Sequence, residues 1–134
     1  MSSNWVKDIN KMQDKYRVHK WVEGADKDRL RAYLDFRIDF LREELNETEA
    51  AMVNMDAEEI VDGLIDLCVV AIGTLDAFGV DANKAWDEVL KANMNKRVGV
   101  KETRPNPLGL PDLIKPADWK APSHEGNYGK LDNL

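Results

Sequence analysis

The order of apolar and polar residues divides the chain into a helical N-terminal part and a C-terminal tail. Apolar side chains recur at helical spacing over about residues 4–18, 26–52, 56–78 and 81–97. Asp26, Asp56 and Asp81 stand where N-caps are expected, and Gly79 stands where the third helix should end. Short connections favour antiparallel neighbouring helices. The pattern therefore predicts an all-α protein with a four-helix-bundle-type core.

The tail differs in composition from the helical part. All five prolines lie between Pro105 and Pro122, and proline interrupts helices because it lacks the amide donor. We therefore predict a helical core over residues 1–98 and a proline-containing, irregular tail over residues 99–134. The tail is expected either to pack on the core or to close its functional site.

Carboxylates interrupt the apolar stripes of the second and third predicted helices. Glu44 and Glu47 continue a stripe that begins with aromatic residues. Asp62 and Asp66 lie in a helix that is apolar on every other side and that we expect to be largely buried. An ionised carboxylate is costly to bury without compensation, and this helix contains no Lys or Arg. A divalent cation is therefore a candidate counter-charge.

Other interpretations of the acidic residues remain open. Glu43 and Glu49 are expected to face solvent. Glu59 is either a ligand or the third residue of a capping box that begins at Asp56. The position of Asp66 is explained equally well by metal ligation and by an ordinary charged position on a helix. Carboxylate oxygens without His or Cys suit Mg²⁺, with Mn²⁺ as a substitute.

The fourth predicted helix carries groups that suit phosphates. Asn93 follows Trp86 and Leu90 on the apolar face of this helix, and Lys96 follows one turn later. Amide and ammonium donors bind phosphate oxygens well. A basic residue at a helix C-terminus is also explained by the helix dipole, but the dipole does not explain an inward-facing Asn93.

Composition and the absence of certain motifs disfavour several classes of function. The net charge of -6 over 134 residues disfavours binding to nucleic-acid polymers. The longest uncharged run, residues 67–75, is too short to span a membrane, and no signal peptide is apparent, so a cytoplasmic location is expected. The two histidines, His19 and His124, are far apart in sequence, which disfavours zinc. The chain also lacks the glycine-rich phosphate loops GxxxxGK[ST] and GxGxxG.

The order of these motifs resembles the all-α nucleoside triphosphate pyrophosphohydrolase superfamily, which includes MazG-like proteins, dimeric dUTPases and phosphoribosyl-ATP pyrophosphohydrolases. The segments FLREELNETEAA, EEIVDGLIDLCVVAIGTLDAFGVD, VLKANMNKR and PDLIKPADWKAP are most similar to the phosphoribosyl-ATP pyrophosphohydrolase-like branch. The resemblance covers about residues 40–122.

The resemblance implies a set of site residues and an assembly. The implied Mg²⁺ ligands are Glu44, Glu47, Glu59 and Asp62. The implied substrate contacts are Asn93, Lys96, Lys115 and Trp119. Catalytic roles are expected for Glu44 or Glu47, toward the attacking water, and for Lys96, toward the phosphates. Family members form homodimers or homotetramers, and a second subunit would also cover a helix that is apolar all round.

The expected reaction is Mg²⁺-dependent hydrolysis of an NTP or dNTP to the monophosphate and pyrophosphate. One alternative is cleavage of phosphoribosyl-ATP in histidine biosynthesis. Another is a non-catalytic helical module that binds a cation. No nucleic-acid polymer and no membrane is expected as a partner.

Overall fold

In the computed structural model, which describes residues 4–103 and 106–134, five α-helices account for most of the chain. They are α1 (Trp5–Lys15), α2 (Val18–Gly24), α3 (Lys27–Val53), α4 (Ala57–Ala77) and α5 (Ala82–Met94). The prediction of an all-α protein with a helical bundle core is confirmed.

The first predicted helix corresponds to α1, but the short helix α2 that follows it was not predicted. Arg17 separates the two helices with φ of 60° and ψ of 27°, in the left-handed region. Only glycine and, less often, Asn or Asp adopt this region readily. An arginine therefore gives no sequence signal for the break, and for this reason the helix predicted over residues 4–18 was placed about three residues too long.

The other helix boundaries follow from the capping residues that the sequence contains. The Asp26 side chain accepts a hydrogen bond from the Arg29 amide at 2.9 Å, and that of Asp56 accepts one from the Glu59 amide at 3.2 Å. Gly79, with φ of +75°, follows the end of α4. These caps satisfy amide donors that have no partner within the helix.

The described residues form two compact units. The first contains the chain up to Ala82 together with Tyr128–Leu134, and the second contains Asn83–Asn127. In the first unit α4 packs against α3 and α1. Its buried centre consists of Val22, Leu30, Ala77 and Phe78.

Helix α4 is not buried all round, contrary to the prediction. Its buried residues are Gly63, Val70, Gly73, Thr74 and Ala77. On other sides of the helix, Val61, Leu64 and Ile65 are 63%, 51% and 44% exposed. The helices of one chain are too few to enclose it.

The last residues of the chain belong to the first unit. The Lys130 amide donates to the Phe78 carbonyl at 2.7 Å, and the Arg31 guanidinium donates to the Leu134 carbonyl at 3.0 Å. Leu131 and Leu134 pack against the buried centre. The segment after Asn127 is thus fixed by both backbone and apolar contacts.

The second unit contains α5 and a short antiparallel pair of strands, β1 (Arg97–Gly99) and β2 (Asp112–Ile114). Arg97 pairs with Ile114, and Gly99 pairs with Asp112. A side chain at Gly99 would crowd Ile114, at 2.7 Å from its Cδ1 atom. The helix predicted to continue to residue 97 ends at Met94 instead, and Arg97 is the first residue of β1.

Within residues 4–103 and 106–134, no single helix is long and apolar enough to cross a membrane, although α4 and α5 meet the same criteria when they are taken together.

Candidate functional site

A close helix contact positions the acidic residues of α3 and α4. A Cβ atom at Gly63 of α4 would overlap the hydroxyl of Thr48 on α3. That hydroxyl donates to the backbone carbonyl of Glu44, one turn earlier, at 2.8 Å. The absence of a side chain at Gly63 thus allows the two helices to approach beside Glu44.

Glu44 has a carboxylate oxygen, Oε2, that is buried without a hydrogen-bond partner among the described residues. Burial raises the pKa of Glu44, and the negative charges of Glu47 and Asp66, followed by those of Glu43 and Asp62, raise this pKa further. Because these charges act on one another, we call Glu44, Glu47, Asp62 and Asp66 the α3–α4 acidic cluster.

The sequence predicted the wrong buried carboxylate within this cluster. Asp62 was expected to be buried, but it is exposed, and Asp66 is half-buried. Glu47 is also exposed. The uncovered face of α4 explains the exposure of Asp62. The buried oxygen belongs to Glu44 instead, on the helix whose aromatic stripe already placed it beside Phe40.

Asp66 is a member of the cluster that the sequence left undecided. It lies one turn after Asp62 on α4, and its charge raises the pKa of Glu44 more than that of Asp62 does. The sequence signal for Asp66 was its spacing alone, which an ordinary helix position explains equally well.

Glu59 lies at the start of α4 and is exposed. Its amide donates to the Asp56 side chain at 3.2 Å, as the first half of a capping box requires. Glu59 is not among the charges that raise the pKa of Glu44. Its role as a metal ligand stays a prediction.

Two arginines of α3 bind partners outside the acidic cluster, and the first of them, Arg42, pairs with Asp39 at 2.7 Å. The Arg37 guanidinium crosses to α4, where it donates to the Thr74 hydroxyl and to the Val70 carbonyl, both at 2.9 Å. Gly73 leaves room for it, since a Cβ there would lie 2.8 Å from Arg37 Nη2. Arg37 therefore fastens α3 to α4 through its hydrogen bonds.

The chemistry of the acidic cluster fits a hard divalent cation. Its donors are all carboxylate oxygens, which Mg²⁺ and Mn²⁺ prefer, and the buried Oε2 of Glu44 has no other partner among the described residues. Across residues 4–103 and 106–134, no group of three or more His, Cys, Asp or Glu side chains is gathered tightly enough to hold a metal.

Three of the four predicted substrate contacts come together in the second unit. The ammonium groups of Lys96 and Lys115 lie 5.4 Å and 4.8 Å from the centre of the Trp119 ring. The indole N–H of Trp119 donates to the Ala92 carbonyl of α5 at 2.7 Å. Lys96, Lys115 and Trp119 are called the Trp119 cluster below.

Asn93 was predicted to face inward and does not. It is exposed, and its neighbours on the predicted inner face, Trp86 and Leu90, are 62% and 42% exposed. The apolar stripe of α5 was interpreted as a core-facing stripe, but no described element of the second unit covers these residues.

His19 forms a second polar cluster that the sequence did not predict. Its Nε2 atom lies 2.6 Å from the Asp76 carboxylate, and its Nδ1 atom lies 3.6 Å from that of Asp14. Asn10 donates to the other oxygen of Asp76 at 2.8 Å. The hydrogen bond to Asp76 is the main cause that raises the pKa of His19, and burial opposes it. These contacts join α1 and α2 to α4, which is distant from both in sequence.

Comparison with known proteins relates the chain to a family. A sequence model described as phosphoribosyl-ATP pyrophosphohydrolase matches residues 17–93, more than half of the chain. The matched region contains the whole acidic cluster and ends at Asn93, before the Trp119 cluster. No curated protein matches the chain in sequence.

Proposed function

Because the chain belongs to the phosphoribosyl-ATP pyrophosphohydrolase family and is a nucleotide pyrophosphohydrolase of the MazG-like kind, we propose that it hydrolyses an NTP or dNTP to the monophosphate and pyrophosphate. The observation that carries this proposal is the buried, unpartnered oxygen of Glu44 within a group of carboxylates. Placing several negative charges close together, one of them partly buried, costs free energy, and binding a positive charge offsets that cost.

The proposed cofactor is Mg²⁺, with Mn²⁺ as a substitute. Glu44, Glu47, Glu59 and Asp62 are the proposed ligands, and Asp66 is a further candidate because of its effect on Glu44. When bound, the cation supplies positive charge that neutralises phosphate oxygens. Carboxylate oxygens from α3 and α4 would hold it.

The proposed proton acceptor is a carboxylate of α3. A carboxylate with a raised pKa binds a proton from water more readily than an ordinary one. Burial and neighbouring charges raise the pKa of Glu44, so Glu44 is the better base, and the exposed Glu47 is the better orienting group. The attacking water would lose its proton to the carboxylate as its oxygen bonds to phosphorus, and the P–O bond that links the α and β phosphates would break to give the monophosphate and pyrophosphate.

The Trp119 cluster supplies the proposed positive charge of the protein itself. Two ammonium groups on one ring place two positive charges close together, and such a pair is stabilised when it binds phosphate oxygens. Lys96 is proposed to stabilise charge on the phosphates during cleavage. Lys115, Trp119 and the exposed amide of Asn93 are proposed to bind the substrate.

A homodimer or homotetramer is proposed from the exposed apolar face of the first unit. Leu45 and Met52 of α3 are 56% and 60% exposed. The α4 residues Val61, Leu64 and Ile65 are exposed to a similar extent. Exposed apolar patches of this kind mark interaction surfaces. A second copy of the chain would cover them, which sedimentation at several concentrations tests directly.

Phosphoribosyl-ATP is the second candidate substrate, favoured by the family to which the chain belongs. Its cleavage breaks the same type of bond between the α and β phosphates. The acidic cluster would serve both reactions in the same way, so substrates must be compared experimentally.

The experiment is a product analysis with a substrate panel. The purified protein is incubated with each NTP, each dNTP and phosphoribosyl-ATP in the presence of Mg²⁺, and the products are separated. Monophosphate with pyrophosphate from an NTP or dNTP is the expected result. Turnover of phosphoribosyl-ATP alone would support the second candidate. Release of inorganic phosphate only, or no turnover of any substrate, would overturn the proposal in favour of another reaction or a cation-binding module.

A further inference from the structure

The first unit contains a groove away from the acidic residues. It is lined by Tyr16, Arg17, Val18, Lys20, Trp21 and Tyr33 and has a volume of about 520 Å³. We call it the aromatic groove. Its volume falls within the range of roughly 300–1,000 Å³ that is usual for small-molecule sites.

The aromatic groove has a firm, ring-lined wall. The rings of Trp21 and Tyr33 are 5.3 Å apart, and Tyr33 lies 5.9 Å from the fully buried Phe78. Trp21 and Tyr16 are nevertheless 42% and 67% exposed. Tyr33 is half-buried and also lies under the Arg37 guanidinium at 5.9 Å, so it supports the wall, while the rings of Trp21 and Tyr16 remain exposed to a ligand.

Positive charge surrounds these rings. Arg17 and Lys20 line the groove, and the ammonium group of Lys15 lies 5.6 Å from the centre of the Tyr16 ring. Among the residues that the structure describes, no carboxylate lines the groove. Neither Arg17 nor Lys20 takes part in the ion pairs found among the described residues. In a chain with a net charge of -6, this is a local reversal of sign.

The aromatic groove is separate from the acidic cluster. Tyr33 and Glu44 lie on the same continuous helix, eleven residues apart, which corresponds to about 16 Å along the axis at 1.5 Å per residue. A ligand of the groove therefore has no carboxylate cluster beside it and needs no divalent cation.

We propose that the aromatic groove binds a nucleoside monophosphate as a second, metal-independent nucleotide site. The base stacks on the exposed ring of Trp21 or Tyr16, which suits any base because each has a π face. The phosphate binds Arg17 and Lys20. An inorganic anion would leave the rings unused, and an apolar ligand would leave the cations unused. This inference goes beyond the proposed hydrolysis and does not depend on it.

Binding is tested without metal and without turnover. AMP, GMP, CMP and UMP are titrated into the protein in EDTA at low salt, and binding is followed by calorimetry. Adenosine and ribose 5-phosphate serve as probes that lack the phosphate or the ring. At least one monophosphate is expected to bind with one site per chain, and about tenfold more tightly than either of these two probes.

Variants then locate the site. Lys20→Glu and the double variant Arg17→Glu/Lys20→Glu are expected to weaken monophosphate binding by about tenfold or more, whereas Lys7→Glu/Lys11→Glu, exposed on α1, is the charge-matched control. Circular dichroism checks folding, and the single Lys20→Glu variant provides the test if the double variant unfolds. Trp21→Phe keeps a ring and should weaken binding less than Trp21→Leu.

Several outcomes would overturn the proposal. These are the absence of monophosphate binding in EDTA, equal weakening by the control variant, and binding that is lost in Glu44→Gln. A change in sedimentation mass caused by Lys20→Glu would identify the groove as a contact between subunits instead. Because the assay contains no Mg²⁺, its result is independent of whether the proposed hydrolysis occurs.

Discussion

Gly63 on α4 faces Thr48 on α3 with no room for a side chain, because a Cβ atom at position 63 would overlap the Thr48 hydroxyl. The same hydroxyl donates to the carbonyl of Glu44 at 2.8 Å. The contact between Gly63 and Thr48 therefore sets both the spacing of the two helices and the position of the acidic cluster beside them.

Substitution of Gly63 by alanine is expected to destabilise the protein and to lower its activity. Overpacking of this kind costs about 1–3 kcal/mol, and the higher helix propensity of alanine offsets about 1 kcal/mol of that. Displacement of Glu44 should reduce turnover more than the lost stability does. Urea unfolding and steady-state kinetics measure the two effects.

Gly24→Ala is the matched control for this substitution, because no atom lies within 4 Å of a Cβ placed at Gly24. It should leave stability and activity close to those of the wild type. If Gly63→Ala behaves in the same way as Gly24→Ala, the close contact does not determine the position of the cluster.

Glu44→Gln is expected to lower hydrolysis by about 100-fold or more, as the loss of a general base does. The substitution removes a negative charge from a position where burial and neighbouring carboxylates already raise the pKa. The folded state should therefore lose little stability. Product analysis measures the activity, and thermal unfolding measures the stability.

Glu49→Gln provides the comparison, since Glu49 is exposed on the same helix and is not among the charges acting on Glu44. Its activity should remain near that of the wild type. Equal activity of both variants would remove Glu44 from the proposed mechanism.

The sequence predicted the helices of this chain better than it predicted their burial. The spacing of apolar residues and the capping residues Asp26 and Asp56 located α3 and α4 closely, because both signals are local. Burial depends on how many other elements cover a face, which periodicity does not report. This is why Asp62 was expected to be buried and is exposed, while the buried oxygen is that of Glu44.

Contacts between residues that are distant in sequence, and backbone conformations without a sequence signal, explain the other errors of the prediction. The left-handed conformation of Arg17 has no glycine to indicate it, so the break between α1 and α2 was missed. The contact between His19 and Asp76 joins residues 57 positions apart, and spacing alone gives no sign of it. Lys96, Lys115 and Trp119 were grouped only through a resemblance to a family, and their association within the second unit is a contact that the structure reveals.

Trp119→Ala is expected to raise the KM for the nucleotide by about tenfold, which corresponds to 1.4 kcal/mol. The substitution removes the ring that holds Lys96 and Lys115 and the indole hydrogen bond to the Ala92 carbonyl. Contacts of an ammonium with a ring contribute about 0.5–2 kcal/mol. Steady-state kinetics over a range of salt concentrations measures the effect.

Trp119→Phe separates the two contributions, because it keeps a ring for the lysines and loses the indole donor. Its KM should lie between those of the wild type and Trp119→Ala. Unchanged KM in both variants would exclude the Trp119 cluster from substrate binding.

Gly129→Ala is expected to destabilise the first unit by about 2 kcal/mol or more. Gly129 has φ of +53°, and a Cβ there would overlap the Phe78 carbonyl oxygen. The substitution combines left-handed strain of about 1–2 kcal/mol with a clash against backbone. Gly79→Ala is the control, since Gly79 also has a positive φ but an open Cβ position. Equal losses of unfolding free energy would show that the clash at Gly129 is relieved at no cost.

The contact of His19 with Asp76 is expected to make stability depend on pH. The hydrogen bond to Asp76 raises the pKa of His19 in the folded state above its ordinary value of 6.5. The folded protein therefore holds this proton more tightly than the unfolded chain does. The resulting stabilisation is fully present below pH 6.5 and is lost as the pH rises through the folded pKa.

Urea unfolding across this pH range tests the relationship. The unfolding free energy of the wild type should decrease relative to that of His19→Gln as the pH rises from below 6.5. Asp76→Asn should remove most of the same pH dependence, because the asparagine carries no charge to hold the imidazolium. At low pH, His19→Gln should cost about 1.5–3 kcal/mol, the contribution of a hydrogen bond to a charged group. A difference between wild type and His19→Gln that stays constant with pH would mean that His19 binds Asp76 in its neutral form.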